Sequence, residues 1–465
     1  MTFPAQIIDA LTPEPDRVVV EHGARRVSRG ELLGMIRRIA AGLRAAGLGP
    51  HRGIAMITSV TPEALAAYLA GFCVGARVIG VRPGYSDAQL DHVLSTGVDR
   101  VVTDKTIAEL LTAGDEPLVL AGDPDAVARL VYTSGSTGRP KGCAQTYRSI
   151  GAHAAWDRAR WSPHSASQAA AMDRYLLFGS LASVVVQDFL ALCLLHGGTA
   201  VIPESDLDPL FPYAIERYRI TASIMNVPRL HHMLDVLRAE PVDTGSLRCL
   251  IVAGSPLAPH RLAEAVRLLG PVVYQAYGQS ETGELTTLTP EDIAAGKLAS
   301  VGRAHPRVEI SIRDGEIYVR SDYLVSEYWG DPAETAEVFV DGWVRTRDLG
   351  HLDEDGYLYL TGRARDVIIV DGYPIYAGPI EQALITHPDV DQAYVVGAPD
   401  ERRGEAVHAF VIPLPGRAPD RAELATMVAT RLGAASTPAT ITFVDTVPEA
   451  PSGKPDKRAL HPPSP

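Results

Sequence analysis

The stretch LVYTSGSTGRPKG, residues 130–142, joins a short apolar segment to a loop rich in glycine and hydroxyl groups. The apolar Leu130 and Val131 predict a buried strand that ends at this loop. Glycines let the loop turn tightly and bring its backbone N–H groups near a ligand, while hydroxyls and Lys141 supply further donors. The loop is therefore expected to bind a polyphosphate. A flexible Gly/Ser connector is the alternative, which the preceding strand and the Pro140-Lys141 pair disfavour.

The loop does not fit the phosphate-binding motif of P-loop NTPases. That motif, G-x-x-x-x-G-K-[ST], needs a glycine five positions after the first one and a hydroxyl residue after the lysine. Here Pro140 stands five positions after Gly135, and Gly142 follows Lys141. The spacing therefore argues against a P-loop NTPase.

Helix and strand signals alternate on both sides of the loop. Ser28 with Glu31 and Ser86 with Gln89 have the spacing of capping boxes, in which two side chains satisfy free backbone donors at a helix start. Apolar runs at 54–57, 78–81, 101–103 and 250–253 predict strands between the helices. This alternation predicts a mostly parallel sheet covered by helices, and therefore an α/β fold with a large N-terminal domain.

The pattern changes after about Gly302. Short strands with acidic turns follow, which predicts a strand-rich subdomain. Beyond Arg365, about a hundred residues carry their own helices and strands, enough for a small α+β domain. We therefore expect an N-terminal domain at residues 1–364 and a mobile C-terminal domain at residues 365–465.

Composition limits the partners and the compartment. The chain has 43 Lys and Arg against 56 Asp and Glu, a net charge of −13, which argues against nucleic acid or an anionic membrane as a partner. Its four cysteines show neither metal-ligand spacing nor a disulfide framework. The first residues lack the pattern of a signal peptide, and Gln187 and Asp188 interrupt the longest apolar stretch, so a buried helix is expected there. These features predict a cytoplasmic protein.

Several further motifs suit nucleotide chemistry. Residues 277–282, YGQSET, combine an aromatic face, a glycine that permits close approach and a carboxylate suited to Mg²⁺. Asp348 in the segment TRDLG can accept two hydrogen bonds at once. Lys454 follows a glycine near the end of the chain. Taken alone, each is more typical of a turn or a solvated charge, so their combination carries the argument.

The loop and these motifs occur in the order found in the adenylate-forming superfamily, which the chain resembles over nearly its whole length. This superfamily includes acyl- and aryl-CoA ligases, adenylation domains of nonribosomal peptide synthetases and firefly-type luciferases. The resemblance implies that Thr133, Glu281 and Lys454 are catalytic and that Glu281 binds Mg²⁺. It also implies an ATP site made of Thr133, Ser134, Gly135, Ser136, Thr137, Gly138, Lys141, Gly254, Ser255, Pro256, Tyr277, Gly278, Gln279, Ser280, Thr282, Asp348 and Arg363.

The resemblance assigns roles to three other groups of residues. Arg365 is implied as the hinge of the small domain, although family hinges are usually Asp or Lys. Gly372 and Tyr373 are implied to form the tunnel for the acceptor thiol. The acyl pocket is implied to include Phe178, Ser183, Asn226, Gly254 and Gly278.

Departures from the family bear on the substrate. The segment 175–183 lacks the histidine gate of many acyl-CoA ligases. Val184 stands where amino-acid-activating relatives carry an aspartate, so α-amino acids are disfavoured. His231 and His232 have no third ligand at a metal spacing, so satisfied or solvated imidazoles are expected there rather than a metal site.

The implied activity is ATP-dependent adenylation of a compact or aryl carboxylic acid, with release of pyrophosphate. The acyl group would then pass to CoA or to the phosphopantetheine of a carrier protein, with Mg²⁺ as cofactor. Alternatives are activation of another oxyanion such as nitrite, a non-thiol acceptor, or a nucleotide-binding protein without catalysis. A monomer or a homodimer is expected.

Overall fold

The computed structural model describes residues 3–133, 140–400, 402–450 and 454–460. The helices in these ranges are α1 (Ala5–Leu11), α2 (Arg29–Ala45), α3 (Pro62–Cys73), α4 (Asp87–Ser95), α5 (Asp104–Leu110), α6 (Tyr147–Ala152), α7 (Pro163–Ala170), α8 (Val184–His196), α9 (Tyr213–Tyr218), α10 (Val227–Ala239), α11 (Pro259–Leu269), α12 (Pro290–Ala294), α13 (Pro332–Val338), α14 (Ala377–Ile385) and α15 (Arg421–Leu432).

The strands of the described ranges form four sheets. They are β1 (Val18–His22), β2 (Arg25–Ser28), β3 (Gly53–Ile57), β4 (Arg77–Gly80), β5 (Arg100–Thr103), β6 (Val127–Thr133), β7 (Lys141–Thr146), β8 (Arg174–Leu176), β9 (Thr199–Ile202), β10 (Ala222–Asn226), β11 (Cys249–Ala253), β12 (Val273–Gln279), β13 (Gly283–Leu288), β14 (Arg303–Ala304), β15 (Glu309–Arg313), β16 (Glu316–Arg320), β17 (Glu327–Tyr328), β18 (Phe339–Val340), β19 (Trp343–Leu352), β20 (Leu358–Arg363), β21 (Val367–Val370), β22 (Tyr373–Tyr376), β23 (Val390–Asp400), β24 (Gly404–Pro413) and β25 (Thr440–Phe443).

Two large sheets carry the parallel part of the fold. One has the order β14-β13-β12-β11-β10-β8-β9-β1-β2, the other β17-β7-β6-β4-β3-β5. Strands β3 to β6 and β8 to β12 pair in parallel within these sheets. Both predicted capping boxes are present, at the starts of α2 and α4. The α/β class is therefore confirmed, because local helix signals and apolar runs alternate as parallel crossovers require.

A third sheet contains β15, β16, β18, β19 and β20, all paired antiparallel, as the strand-rich pattern after Gly302 predicts. It packs next to the nine-stranded sheet through a core that includes Tyr277 and Ile317. The site described below lies at this junction.

The apolar stretch around residue 187 forms the buried helix α8. Gln187 and Asp188 stay inside it because the buried guanidinium of Arg129 bonds Gln187 Oε1 at 2.8 Å and lies 3.5 Å from Asp188 Oδ1. The indole N–H of Trp156 also donates to Asp188 at 2.7 Å. Among the described residues, no helix is both long and apolar enough to cross a membrane.

Residues 367–460, called here the C-terminal unit, have their own sheet in the order β22-β21-β24-β23, with β25 beside β24. Their buried side chains form a separate cluster from Ile368 to Ile441. A buried ion pair joins this unit to the rest of the chain: Arg261 on α11 donates to Asp391 on β23, from Nε at 2.5 Å and from Nη2 at 2.6 Å. The unit therefore has an independent core and a polar attachment.

Candidate active site

A cavity of about 1790 Å³ lies where the C-terminal unit meets the rest of the chain. Most of the residues that the sequence nominates line it, although they come from distant segments. They are Thr133, Lys141, Phe178, Ser183, Asn226, Gly254, Ser255, Pro256, Tyr277, Gly278, Gln279, Ser280, Glu281, Asp348, Arg363, Arg365 and Lys454.

The two strands that flank the phosphate loop pair with each other, and Thr133 and Lys141 at their ends line this cavity. Thr133 ends β6 and Lys141 begins β7, and the two residues pair directly across the antiparallel strands. Ser134, Gly135, Ser136, Thr137 and Gly138 lie outside the described residues. The Lys141 ammonium is 2.6 Å from a carboxylate oxygen of Glu334.

Asp348 is the centre of a hydrogen-bonded cluster on β19. Tyr277 donates its hydroxyl to Oδ2 at 2.8 Å, Gln279 donates its amide N–H to the same oxygen at 2.6 Å, and Arg363 donates Nε–H to Oδ1 at 3.0 Å. Burial and the neighbouring carboxylate raise the pKa of Tyr277 well above its ordinary value, so the phenol stays protonated. A carboxylate offers about four acceptor sites, so Asp348 can take a sugar hydroxyl beside these donors.

Glu281 belongs to the YGQSET motif, as do Tyr277 and Gln279. One of its oxygens accepts the hydroxyl of Tyr328 at 2.7 Å, and its other oxygen has no hydrogen-bond partner within the described ranges. A carboxylate oxygen without a partner at the wall of this cavity suits a Mg²⁺ that also binds phosphate oxygens and water. In the part of the chain that the structure describes, no group of three or more His, Cys, Asp or Glu could hold a metal by itself.

Thr282 does not line the cavity. It is fully buried, where its hydroxyl accepts from the N–H of Gln279 at 3.1 Å and donates to the carbonyl of Gly283 at 3.0 Å. It therefore holds the turn that presents Ser280 and Glu281. Its position favours a structural role over the direct ATP contact that the resemblance implies.

Lys454 reaches the cavity from the C-terminal unit. A Cβ built on Gly254 would lie 3.5 Å from Lys454 Cε, so the lysine packs directly against the backbone of this glycine. Loss of water and the nearby cations of Arg363 and Arg82 lower the pKa of Lys454, while Asp348 and Glu281 oppose that shift. The ammonium thus lies within electrostatic range of both carboxylates of the nucleotide motifs.

Lys457 anchors the segment that carries Lys454. Its ammonium is 2.9 Å from Asp366 and 2.7 Å from Glu381, both in the C-terminal part of the chain. The N–H of Ala450 also donates to the carbonyl of Lys454 at 2.8 Å. These contacts fix the base of the loop while the Lys454 side chain extends into the cavity.

Gly372 and Tyr373, the expected thiol tunnel, are not part of the cavity wall. Tyr373 begins β22 and is 69% exposed on the hairpin with β21. In this arrangement the C-terminal unit presents Lys454 to the cavity, and the hairpin lies elsewhere on its surface.

The sequence motifs do not point to Glu334, which pairs with basic side chains from three of the predicted segments. Its Oε1 is 2.6 Å from Lys141, 2.5 Å from Arg347 and 3.2 Å from Arg365. Burial opposes its ionisation, but the hydrogen bonds from Lys141 and Arg347 lower its pKa to about 2. The only local signal is a helix start, because Asp331 caps α13 and accepts from the backbone N–H of Glu334.

Comparisons with known proteins agree with this geometry. The profile of the AMP-binding enzyme family matches residues 9–121 and 97–329, and that of the AMP-binding enzyme C-terminal domain matches residues 379–454. The chain therefore belongs to the AMP-binding enzyme family. The expected superfamily and α/β class are both confirmed.

Three similar proteins illustrate the range of the family. A medium/long-chain-fatty-acid–CoA ligase of Mycobacterium tuberculosis is 30% identical, over 98% of this chain and 88% of its own. The O-succinylbenzoate coenzyme A synthetase of Bacillus subtilis, solved with ATP and magnesium, has a TM-score of 0.82 and 26% identity over 99% of this chain and 100% of its own. The amide bond synthetase McbA of Marinactinospora thermotolerans has a TM-score of 0.85 and 31% identity over 98% of both chains.

Proposed function

We propose that this protein adenylates a carboxylic acid with ATP and then transfers the acyl group to the thiol of CoA. The observation that carries the proposal is the position of Lys454, which enters from the C-terminal unit and shares one cavity with Asp348 and Glu281. A cation there faces the place where negative charge would develop on phosphorus.

In the first half-reaction, a carboxylate oxygen of the acid attacks the α-phosphorus of ATP. The new C(O)O–P bond forms as the bond from the α-phosphorus to the bridging oxygen breaks, and pyrophosphate leaves with the electron pair. Lys454 neutralises the charge that develops on the α-phosphate and carboxylate oxygens, and Lys141 and Thr133 lie at the phosphate end. Glu281 would hold Mg²⁺, which supplies charge neutralisation of the phosphates when bound. Asp348 and Tyr277 orient the nucleoside.

In the second half-reaction, a thiol attacks the acyl carbon and AMP leaves. We propose that residues 365–465 turn about Arg365, which removes Lys454 and brings Gly372 and Tyr373 to the cavity. Rigid-body rotation of a domain about a short hinge is an established mode of conformational change. The separate core of the C-terminal unit supports this proposal, because rotation then exposes no apolar interior of its own.

Exchange of labelled pyrophosphate into ATP, run across aryl, fatty and amino acids, tests adenylation. We expect exchange with at least one acid, and a loss of more than about 100-fold in Lys454→Ala, the size of one lost electrostatic stabiliser. ATP affinity should stay close to that of the wild type. Lys105→Ala, which removes an exposed lysine from α5, is the matched control. Exchange that is unchanged in Lys454→Ala would refute the assigned role.

A second acceptor is favoured by the 31% identity with an amide bond synthetase. In that case an amine, rather than a thiol, attacks the acyl-adenylate. Incubating the enzyme, ATP and an active acid with CoA alone or with a primary amine alone distinguishes the two. Mass spectrometry then detects a thioester in one case and an amide in the other, and a carrier protein can replace CoA in a third arm.

We also propose a cytoplasmic location. All four cysteines are free and buried, and burial raises the pKa of each thiol. A set of reduced structural cysteines suits a reducing compartment. Labelling with a thiol reagent after denaturation should therefore count four free thiols per chain, whereas a lower number would contradict the proposal.

A further inference from the structure

The acyl side of the cavity contains an ionised carboxylate that the general mechanism does not use. Glu284 on β13 lines the cavity, and its Oε1 accepts from the Thr287 hydroxyl and lies 3.2 Å from Nε2 of His305. Burial opposes ionisation, but His305 and Thr287 lower the pKa of Glu284 to about 2. Its Oε2 has no hydrogen-bond partner within the described ranges.

Two more polar groups on this side lack partners. Nδ1 of His153 accepts from the N–H of Ala155 at 3.2 Å, so Nε2 of the neutral ring carries the proton and has no acceptor among the described residues. Burial lowers the pKa of His153 and keeps the ring neutral. Gln168 on α7 lines the cavity, is 2% exposed, and its Nε2 is buried without a partner in the described part of the chain.

Glu284 lies on the strand next to the YGQSET motif. Glu284 pairs with Gly278 across β12 and β13, and a Cβ on Gly278 would lie 2.9 Å from Glu284 Cα. The Glu284 carboxylate accepts from Thr287 on the same strand, so this polar group borders the part of the cavity next to Gly278.

The cavity also has apolar lining. Phe189 and Leu192 on α8 and Ile224 on β10 line the cavity and belong to the main core. The body of a ligand can pack against these apolar side chains, while its polar groups need hydrogen-bond partners elsewhere in the cavity.

We propose that the acid activated here is a compact ring acid, aromatic or similarly flat. It carries a hydrogen-bond donor, such as a hydroxyl or a ring N–H, that is directed at Glu284. This proposal rests on the proposed function. A donor on the substrate satisfies Oε2 of Glu284. An alkyl chain in its place leaves an ionised carboxylate and a neutral imidazole N–H facing hydrocarbon, which is costly. Long-chain fatty acids are therefore disfavoured.

The test measures kcat/KM for pyrophosphate release with 4-hydroxybenzoic and benzoic acid, 6-hydroxy-2-naphthoic and 2-naphthoic acid, and octanoic acid. The methyl ethers of both hydroxy acids serve as acceptor-only probes. In at least one pair we expect the hydroxy acid to exceed both its parent and its ether by about 10- to 100-fold, the effect of one hydrogen bond to a charged group.

Glu284→Gln keeps the size of the side chain and removes its charge. The preference for the hydroxy acid should fall by about 10-fold, because a hydrogen bond to a neutral amide contributes less than one to a carboxylate. Gln168→Leu provides a second variant, and ATP affinity reports whether each variant retains the nucleotide site. The exposed Glu291→Gln on α12 is the matched control and should leave the preference unchanged.

Two results would overturn the substrate class while leaving the proposed function intact. One is octanoic acid or the parent ring acids reacting as well as the hydroxy acids. The other is a hydroxy-acid preference that Glu284→Gln does not alter. Exchange with other acids but with none of this panel also counts against it, whereas no exchange with any acid refutes the proposed function itself.

Discussion

The ion pair between Arg261 and Asp391 makes the proposed rotation of the C-terminal unit testable. The two side chains are 2% and 7% exposed, and they form two hydrogen bonds between α11 and β23. Asp391→Asn keeps the shape of the residue and removes its charge. If the C-terminal unit has to rotate away from this position between the half-reactions, the variant should populate the rotated arrangement more than the wild type does.

The size of the effect follows from what remains around Arg261. Removing one partner of a buried ion pair typically costs about 3 to 5 kcal/mol. Arg261 also bonds Glu264 on its own helix at 2.8 Å, so it keeps one carboxylate in the variant and the lower value applies. A loss of about 3 kcal/mol corresponds to roughly 100-fold in the equilibrium between the observed arrangement and others.

We therefore expect pyrophosphate exchange, which needs Lys454 in the cavity, to fall by up to about 100-fold in Asp391→Asn. Transfer of the acyl group from a supplied acyl-adenylate to the thiol should be unchanged or faster. Glu309→Gln, in an exposed pair with Arg320 within one sheet, serves as the control and should alter neither half-reaction. Equal losses in both half-reactions, or full exchange activity, would refute the reasoning.

Three further outcomes can be measured. Asp348→Ala should raise the apparent dissociation constant for ATP by about 10- to 100-fold, because the hydrogen bonds from the ribose hydroxyls are lost. An unchanged dissociation constant in a nucleotide titration would exclude ribose binding at Asp348. Glu334→Gln should lower the free energy of unfolding by about 2 kcal/mol at pH 7. Because the folded pKa of Glu334 is depressed, that difference should shrink as the pH falls from 4.5 towards 2; urea denaturation at several pH values checks it. Burial lowers the pKa of His231 from 6.5 to about 4, so stability is full above pH 6.5 and is lost as the pH falls towards 4. His231→Gln should remove about 2 kcal/mol of that loss in the free energy of unfolding at pH 5. If the free energy of unfolding depends on pH identically in the variant and the wild type, His231 is not the group responsible.

Local signals in the sequence predict much of the fold. The spacing of Ser28 and Glu31 acts within one turn, so the helix start is readable without tertiary information. The spacing of Ser86 and Gln89 marks the start of α4 in the same way. The division at residue 365 and the motion of the C-terminal domain stay predictions, since a single arrangement of the chain does not test them.

The motifs locate the site, but the partners that tune it come from elsewhere in the chain. Glu334 pairs with three basic side chains from other segments, and Arg129 on β6 pairs with Asp188 on α8. In the sequence each is a lone charge, which is most often solvated. Glu284 follows the YGQSET motif closely, yet only the pairing of β12 with β13 shows that it borders the cavity.

That hairpin has a practical consequence for changing the choice of acid. Tyr277 and Gln279 on β12 donate hydrogen bonds to Asp348, the proposed ribose acceptor. Glu284, the proposed contact of the acid, lies on β13, which shares one ladder of backbone hydrogen bonds with β12. A mutant library built on β13 would alter selectivity and ATP affinity together. Helix α7, which carries Gln168 and contributes none of the nominated nucleotide contacts, is the better place to engineer selectivity alone.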